Sequence, residues 1–222
     1  TLATIAFGKR IKIENVYREG ITKIRVQDMH AANDLGYKIK LIASAYMDES
    51  GNADVRVHPM LVSKKSTLAH IDYVTNAVSL SGHPVGNITL SGPGAGEFPT
   101  ASSVVGDILA ISAEIGKSDY ILPMMRCKHS QNANMKDIAD TINKYYISIN
   151  AKNNKGVIGK IGTICANHDI SLASIVQRCV SEDNTADITV ITELVKEENM
   201  RNAIKLIEKD GNKVNSIIRV QV

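Results

Sequence analysis

Residues 145–180 read YYISINAKNNKGVIGKIGTICANHDISLASIVQRCV, and the fold is read outward from this stretch. YYISINA is rich in β-branched and aromatic residues, a strand signal, and KNNKG at 152–156 has turn chemistry. VIGKIGTICANHD at 157–169 sets Val157, Ile161 and Ile164 on one helical face, and ISLASIVQRCV at 170–180 returns to strand. Downstream come a turn, SEDNT at 181–185, a strand, ADITVITEL at 186–194, a helix, KEENMRNAIKLIEKD at 196–210, and a last strand, VNSIIRVQV at 214–222. The order is βαββαβ. A split βαβ arrangement of this kind pairs the first and third strands and stacks both helices on one face.

GVIGK at 156–160 has the outline of a phosphate loop, but a Walker loop needs glycine where Asn154 stands and Ser or Thr where Ile161 stands. That reading fails. KGVIGKIGTICANHDISL instead resembles the ACT family of regulatory domains, over residues 144–222. One departure is the turn, where the family usually has an acidic residue and a proline and this chain has Asn153 and Lys155. The resemblance implies an amino-acid effector such as threonine, held by Gly156, Val157, Ile158, Ile170 and Ser171, often across a dimer. The free amides at the helix start suit a carboxylate. A turn that only shapes a dimerising domain remains the alternative.

Before residue 117 the chain reads as a mixed sheet with helices, an α+β layer. Leu2, Ile5 and Ala6, closed by Gly8, fit the end of a buried helix, and RIKIENVYREGI at 10–21 alternates up to Val16. A helix is expected over Val26–Leu35, with Asp28 in its first turn and Gly36 at its stop. YKIKLIASAYM at 37–47 and ADVRVHPMLV at 53–62 flank a hairpin turn carrying Gly51 and Asn52. A short helix near Thr67–Tyr73 and the strand-like pieces NAVSL and VGNITL follow.

They lead into SGPGAGEFPTASSVVGD at 91–107. Glycines at 92, 94 and 96 between a strand and a helix can turn backbone amides toward an anion, but a dinucleotide fingerprint needs GxGxxG, and here the sixth position is Glu97. On spacing alone the loop serves equally as a turn for close strand–helix packing. Glu97 reads as an exposed loop carboxylate or as a polar neighbour of a ligand. The helix expected over 100–115 carries Val104, Val105, Ile108, Leu109, Ile111 and Ile115 on more than one face. Each is worth roughly 1.5 to 3 kcal/mol when fully buried, so the helix needs cover on two sides.

VYREGI at 16–21, LGYKIKLIA at 35–43, VRVHPMLV at 55–62, TNAV at 75–78 and LSGPGAGEFPTASSVVGDI at 90–108 together resemble the homoserine dehydrogenase family. The resemblance implies an α+β substrate and dimerisation domain over 1–116, with a helix at 100–115 returning to a nucleotide-binding domain; a linker at 117–143; and the ACT domain at 144–222. It implies an NAD(P)-dependent enzyme of threonine and methionine biosynthesis that interconverts L-aspartate 4-semialdehyde and L-homoserine. Gly94, Ala95 and Gly96 would approach the cofactor, Gly96 foremost. The family's catalytic lysines and nucleotide fingerprint would fall upstream of Thr1, so no catalytic residue transfers. This chain alone is expected to be inactive and to hold no cofactor tightly. The alternative is a non-catalytic module that senses amino acids and dimerises.

Composition is consistent with either. At 222 residues, 44% hydrophobic and 22% charged, the chain can build a sizeable core and has no apolar run long enough for a membrane helix. A net charge of +3, spread along the chain, argues against nucleic acid. Cys127, Cys165 and Cys179 form no CxxC pair, which points to a reducing, cytoplasmic setting without disulfides. The six histidines show no metal-ligand spacing, so neither a metal nor a histidine base is expected. The chain is expected to form a homodimer or larger homo-oligomer.

Overall fold

The computed structural model describes residues 1–115, 131–180 and 184–222. The SEDNT turn is therefore outside the described residues at 181–183, and so are residues 117–130 of the expected linker at 117–143, with Cys127 among them.

Helix α1 (Leu2–Phe7) stops at Gly8, whose φ of 62° is the left-handed conformation glycine takes readily. It buries none of its residues, contrary to expectation: Leu2 and Ile5 are exposed. The alternating stretch after it forms a 3-10 turn (Ile13–Asn15) and a strand of only two residues, β1 (Tyr17–Arg18). Helix α2 (Val26–Asp34) begins with a capping box, in which Arg25 N donates to Asp28 Oδ2 at 3.1 Å.

Strands β2 (Tyr37–Met47) and β3 (Asn52–Ser63) form the expected hairpin, in register from Tyr37 opposite Ser63 to Met47 opposite Ala53. The Asp48 carboxylate accepts from Asn52 N at 2.8 Å and closes the turn. A 3-10 turn (Thr67–His70) leads to a second hairpin, β4 (Thr75–Gly82) and β5 (Gly86–Pro93), which among the described residues is a sheet of its own. Helix α3 (Glu97–Glu114) starts three residues before Thr100, because Pro99 fits inside a first turn that needs no donor there.

Residues 131–143, read as the end of the linker, are built into the sheet. Strand β6 (Asn134–Met135) pairs in parallel with β3 at Asn52 and Ala53. The remaining elements follow the βαββαβ order: β7 (Ile142–Lys152), α4 (Val157–Ala166), β8 (Leu172–Val180), β9 (Thr185–Thr192), the short β10 (Val195–Lys196), α5 (Glu197–Lys209) and β11 (Lys213–Val220). Their sheet order is β11-β7-β9-β8, with the first and third strands adjacent as expected.

β11 does more than close this ferredoxin-like sheet. Its other edge pairs in parallel with β3, Arg219 opposite Met60 and Val220 opposite Leu61, so among the described residues the two halves share one nine-stranded sheet. Alternation along β7 sends Tyr145, Ile147 and Ile149 toward α4 and α5, where Ile161, Cys165, Met200, Ala203 and Ile207 complete a core. Tyr146 points the other way, into a core with Ala31 and Ala32 of α2, Leu61 of β3 and Ile218 of β11. Both faces of β7 are thus covered, the apolar one carrying Tyr145, Ile147 and Ile149 and the more polar one Tyr146 and Ser148.

The second interface is also polar. Asp28 is fully buried and accepts from Arg25 Nη2 at 3.0 Å, Tyr146 OH at 3.2 Å and Ser216 Oγ at 2.7 Å, while Arg25 Nη2 also reaches Ser148 Oγ at 2.7 Å. α2 is thereby fixed to β7 and β11. Burial, with the charge of Asp28 close by, pushes the Tyr146 phenol up to about 12.

Candidate functional site

The glycine loop lies where β5 ends and α3 begins, and each glycine has its own local reason. Gly94 N donates to Val74 O at 3.1 Å, which draws the backbone so close to β4 that a Cβ on Gly94 would fall 1.3 Å from Asn76 Nδ2. Gly96 caps α3 with a φ of 131°, outside the range of ordinary side chains. The first helical bond of α3 runs from Thr100 N to Gly96 O, so the amides of Glu97 and Phe98 have no acceptor within the helix, and Pro99 has none to offer. Ala95 sits exposed between the two glycines, and Glu97 is exposed as well. Two free amides beside two side-chain-free positions fit the polar edge of a phosphate-bearing or carboxamide-bearing cofactor.

What surrounds this loop is apolar and bare. Phe98 is 82% exposed, and Val104, Val105, Ile108, Leu109, Ile111 and Ile115 are exposed too. So are Val78, Leu80, Val85, Ile88 and Leu90 on the β4–β5 hairpin. Exposed apolar side chains in such number mark a face that another folded body covers.

The residues expected to hold an effector are not gathered in one place within the chain. Gly156, with a φ of 87°, caps α4, and the Val157 amide is already bonded to Asn154 O at 3.2 Å. Ile158 is half-exposed at that end. Ile170 is buried in the core, and its amide bonds to Cys165 O at the opposite end of α4, roughly 13 Å from Gly156 at the helical rise per residue. Ser171 is exposed beside Ile170, and its carbonyl accepts from Glu193 N. The length of α4 separates the two groups.

Sequence reasoning missed a buried charged cluster between the halves. Arg219 of β11 donates through Nη2 to both Glu197 oxygens, at 2.8 and 2.9 Å, and through Nε at 3.2 Å. Its Nη1 reaches Glu19 Oε2 at 3.1 Å, and its guanidinium lies 5.0 Å from the Tyr17 ring centre and 5.9 Å from that of Tyr145. Tyr145 OH also donates to Glu197, so the carboxylate at the start of α5 is saturated. Burial alone would raise the Glu197 carboxyl, but the Arg219 charge and the hydrogen bonds from Tyr145 and Arg219 outweigh it and hold the group below its ordinary value.

A second missed feature is the inward polar face of β3, where Asp54, Arg56 and His58 follow at every other residue. Burial pushes the His58 imidazole down to about 4, and its Nδ1 faces Pro59 O at 2.8 Å. The signal was present in ADVRVHP, whose charges alternate within a strand-like run.

The fold and site define a chain in two joined parts, a glycine-loop α+β unit with a bare apolar face and a ferredoxin-like βαββαβ unit. The homoserine dehydrogenase family pattern matches residues 1–109 and the ACT domain pattern residues 145–212. The chain is 36% identical to the homoserine dehydrogenase of Synechocystis sp., over 99% of its own length and 52% of that protein's. With the homoserine dehydrogenase of Helicobacter pylori it shares 35% identity over 93% of its length and 48% of that protein's. The crystal structure of a homoserine dehydrogenase from Thiobacillus denitrificans superposes with a TM-score of 0.90 at 31% identity, covering 99% of this chain and 51% of that one. Over residues 1–109 the chain thus carries the homoserine dehydrogenase family pattern, with an ACT domain joined to that α+β unit. It spans about half the length of the curated relatives it matches.

Proposed function

We propose that this chain is the substrate-side and regulatory part of an NAD(P)-dependent homoserine dehydrogenase that interconverts L-aspartate 4-semialdehyde and L-homoserine. The observation that carries the reading is the glycine loop opening onto α3, an 18-residue helix whose apolar side chains stand in water. A nucleotide-binding unit laid on α3 would bury them and bring its cofactor to the loop. Gly94 and Gly96 then let the backbone approach, and the Glu97 and Phe98 amides orient the cofactor's polar edge. When bound, the nicotinamide supplies or accepts the hydride. A lysine would handle the proton, as the resemblance to the family implies.

The ACT domain supports a regulatory role in which an amino acid such as threonine biases the enzyme. It would act directly on the substrate-side sheet, because β11 belongs to both units. The protein is proposed to work as a cytoplasmic homo-oligomer; among the described residues no helix is long and apolar enough to cross a membrane.

The test is homoserine oxidation followed by cofactor reduction. The 222-residue chain alone is expected to show none, and the same chain joined behind a nucleotide-binding half to show turnover. Turnover by the chain alone, or none by the joined protein, would contradict the proposal.

A further inference from the structure

A cleft of about 360 Å3 lies away from both the glycine loop and the ACT turn. The 3-10 turn at Ile13–Asn15 and β1 form one side of it, residues 135–138 the other, and β3 the floor. Two side chains of opposite charge, Asp54 and Arg56, rise from that floor, two residues apart on one face of β3. They are only 14% and 13% exposed.

The arrangement is half-satisfied in a specific way. Arg56 Nη1 donates to Asn143 Oδ1 at 2.9 Å, which fixes the plane of the guanidinium. Its Nε forms an ion pair with Asp54 Oδ1 at 2.9 Å, but the N–H is not directed along a hydrogen bond to that oxygen and has no other acceptor among the described residues. A buried donor without an acceptor is rare in folded proteins, and a ligand oxygen would complete it. Burial raises the Asp54 carboxyl above its ordinary value even with Arg56, Lys136 and Arg219 near, so an added cation would stabilise its charged form. Val16, Met135 and Ile138 line the walls, and Glu14, Lys136 and Asp137 put both signs of charge at the rim.

A simple anion would gain Arg56 but meet Asp54, and a simple cation the reverse. A ligand carrying both charges a few bonds apart meets neither penalty. We propose that this cleft binds a small zwitterion of the α-amino-acid class, its carboxylate taken by Arg56 and its ammonium by Asp54. The site is independent of the dehydrogenase reading and distinct from the ACT turn. It also has a route inward: Asn143 Nδ2 donates to Tyr145 OH at 3.1 Å, and Tyr145 OH donates to Glu197, the partner of Arg219. An occupant that draws on Arg56 therefore pulls on the chain of bonds that ends at α5.

The experiment is isothermal titration of the full chain with L-alanine, L-threonine and L-homoserine, each alongside its N-acetyl and its methyl ester derivative. At least one parent amino acid should bind, and removing either charge from it should weaken binding about tenfold or more. Asp54→Asn and Arg56→Gln should each weaken the parent to a similar degree, whereas Lys205→Ala on the exposed side of α5 should leave it unchanged. The ligand derivatives keep the test valid if a variant fails to fold. Binding unaffected by both β3 substitutions, binding lost in Lys205→Ala, N-acetyl forms that bind as tightly as their parents, or no binding by any of the three would each overturn the proposal. None of these outcomes depends on turnover, so failure here leaves the dehydrogenase reading to its own assay.

Discussion

Arg219 and Glu197 form a buried bidentate ion pair that joins the last strand to the start of α5, with Glu19 of the other unit on the far side of the guanidinium. Removing one partner leaves the other charge buried without compensation. Arg219→Gln should cost about 3–5 kcal/mol, read from the shift in the urea midpoint. The double replacement Arg219→Met with Glu197→Leu should recover a large part of that loss, because no uncompensated charge remains between the two positions. Equal losses in the single and double variants would show that the pair acts through packing.

Asp28 makes the corresponding contact on the opposite face. Asp28→Ala strands Arg25, Tyr146 OH and Ser216 Oγ together, and should destabilise the chain by about 3 kcal/mol or more. Thermal melting should remain a single transition, since the shared sheet makes both units one body. Two separated transitions would contradict that picture.

His58 predicts a pH dependence. Its folded value of about 4 lies below the ordinary 6.5, so between those limits the unfolded chain binds the proton and the folded chain does not. Stability contributed by keeping His58 neutral is full above pH 6.5 and is lost as pH falls toward 4, by roughly 3 kcal/mol in total. His58→Gln should flatten the stability profile in that window; an unchanged slope would assign it to other groups.

The glycines of the loop should differ in their tolerance. Gly92→Ala has open space around its new methyl group and no unusual backbone angle, so it should melt close to the parent. Gly96→Ala carries a φ of 131° and should lose about 1–3 kcal/mol, and Gly94→Ala must displace the Asn76 side chain. In the joined enzyme, Gly96→Ala should raise the KM for cofactor, whereas Gly92→Ala should not.

Local periodicity carried most of the fold. The β2–β3 hairpin, α2 with its Asp28 cap and the βαββαβ order are legible because each of their elements carries its own pattern in neighbouring residues. The join between β11 and β3 is not, because parallel pairing of segments far apart leaves no mark on either one's alternation. The same holds for the charged clusters. Arg219 and Glu19 are far apart in sequence, and nothing in REGI or IIRVQ says that they meet. The apolar pattern of α3 was legible as a need for cover, although the helix begins earlier than Pro99 suggested. In α1, Leu2 and Ile5 gave a pattern of burial that the described residues do not satisfy.

The central claim is that α3 is a docking face for a nucleotide-binding unit, and hydrogen exchange over residues 97–113 tests it most directly. In the chain alone these amides should exchange fast, because the helix has few packed neighbours to hold it closed. With a nucleotide-binding half joined upstream they should slow by about a hundredfold or more, as burial of the apolar face adds several kcal/mol to local stability. Equal exchange rates in the two proteins would contradict the account.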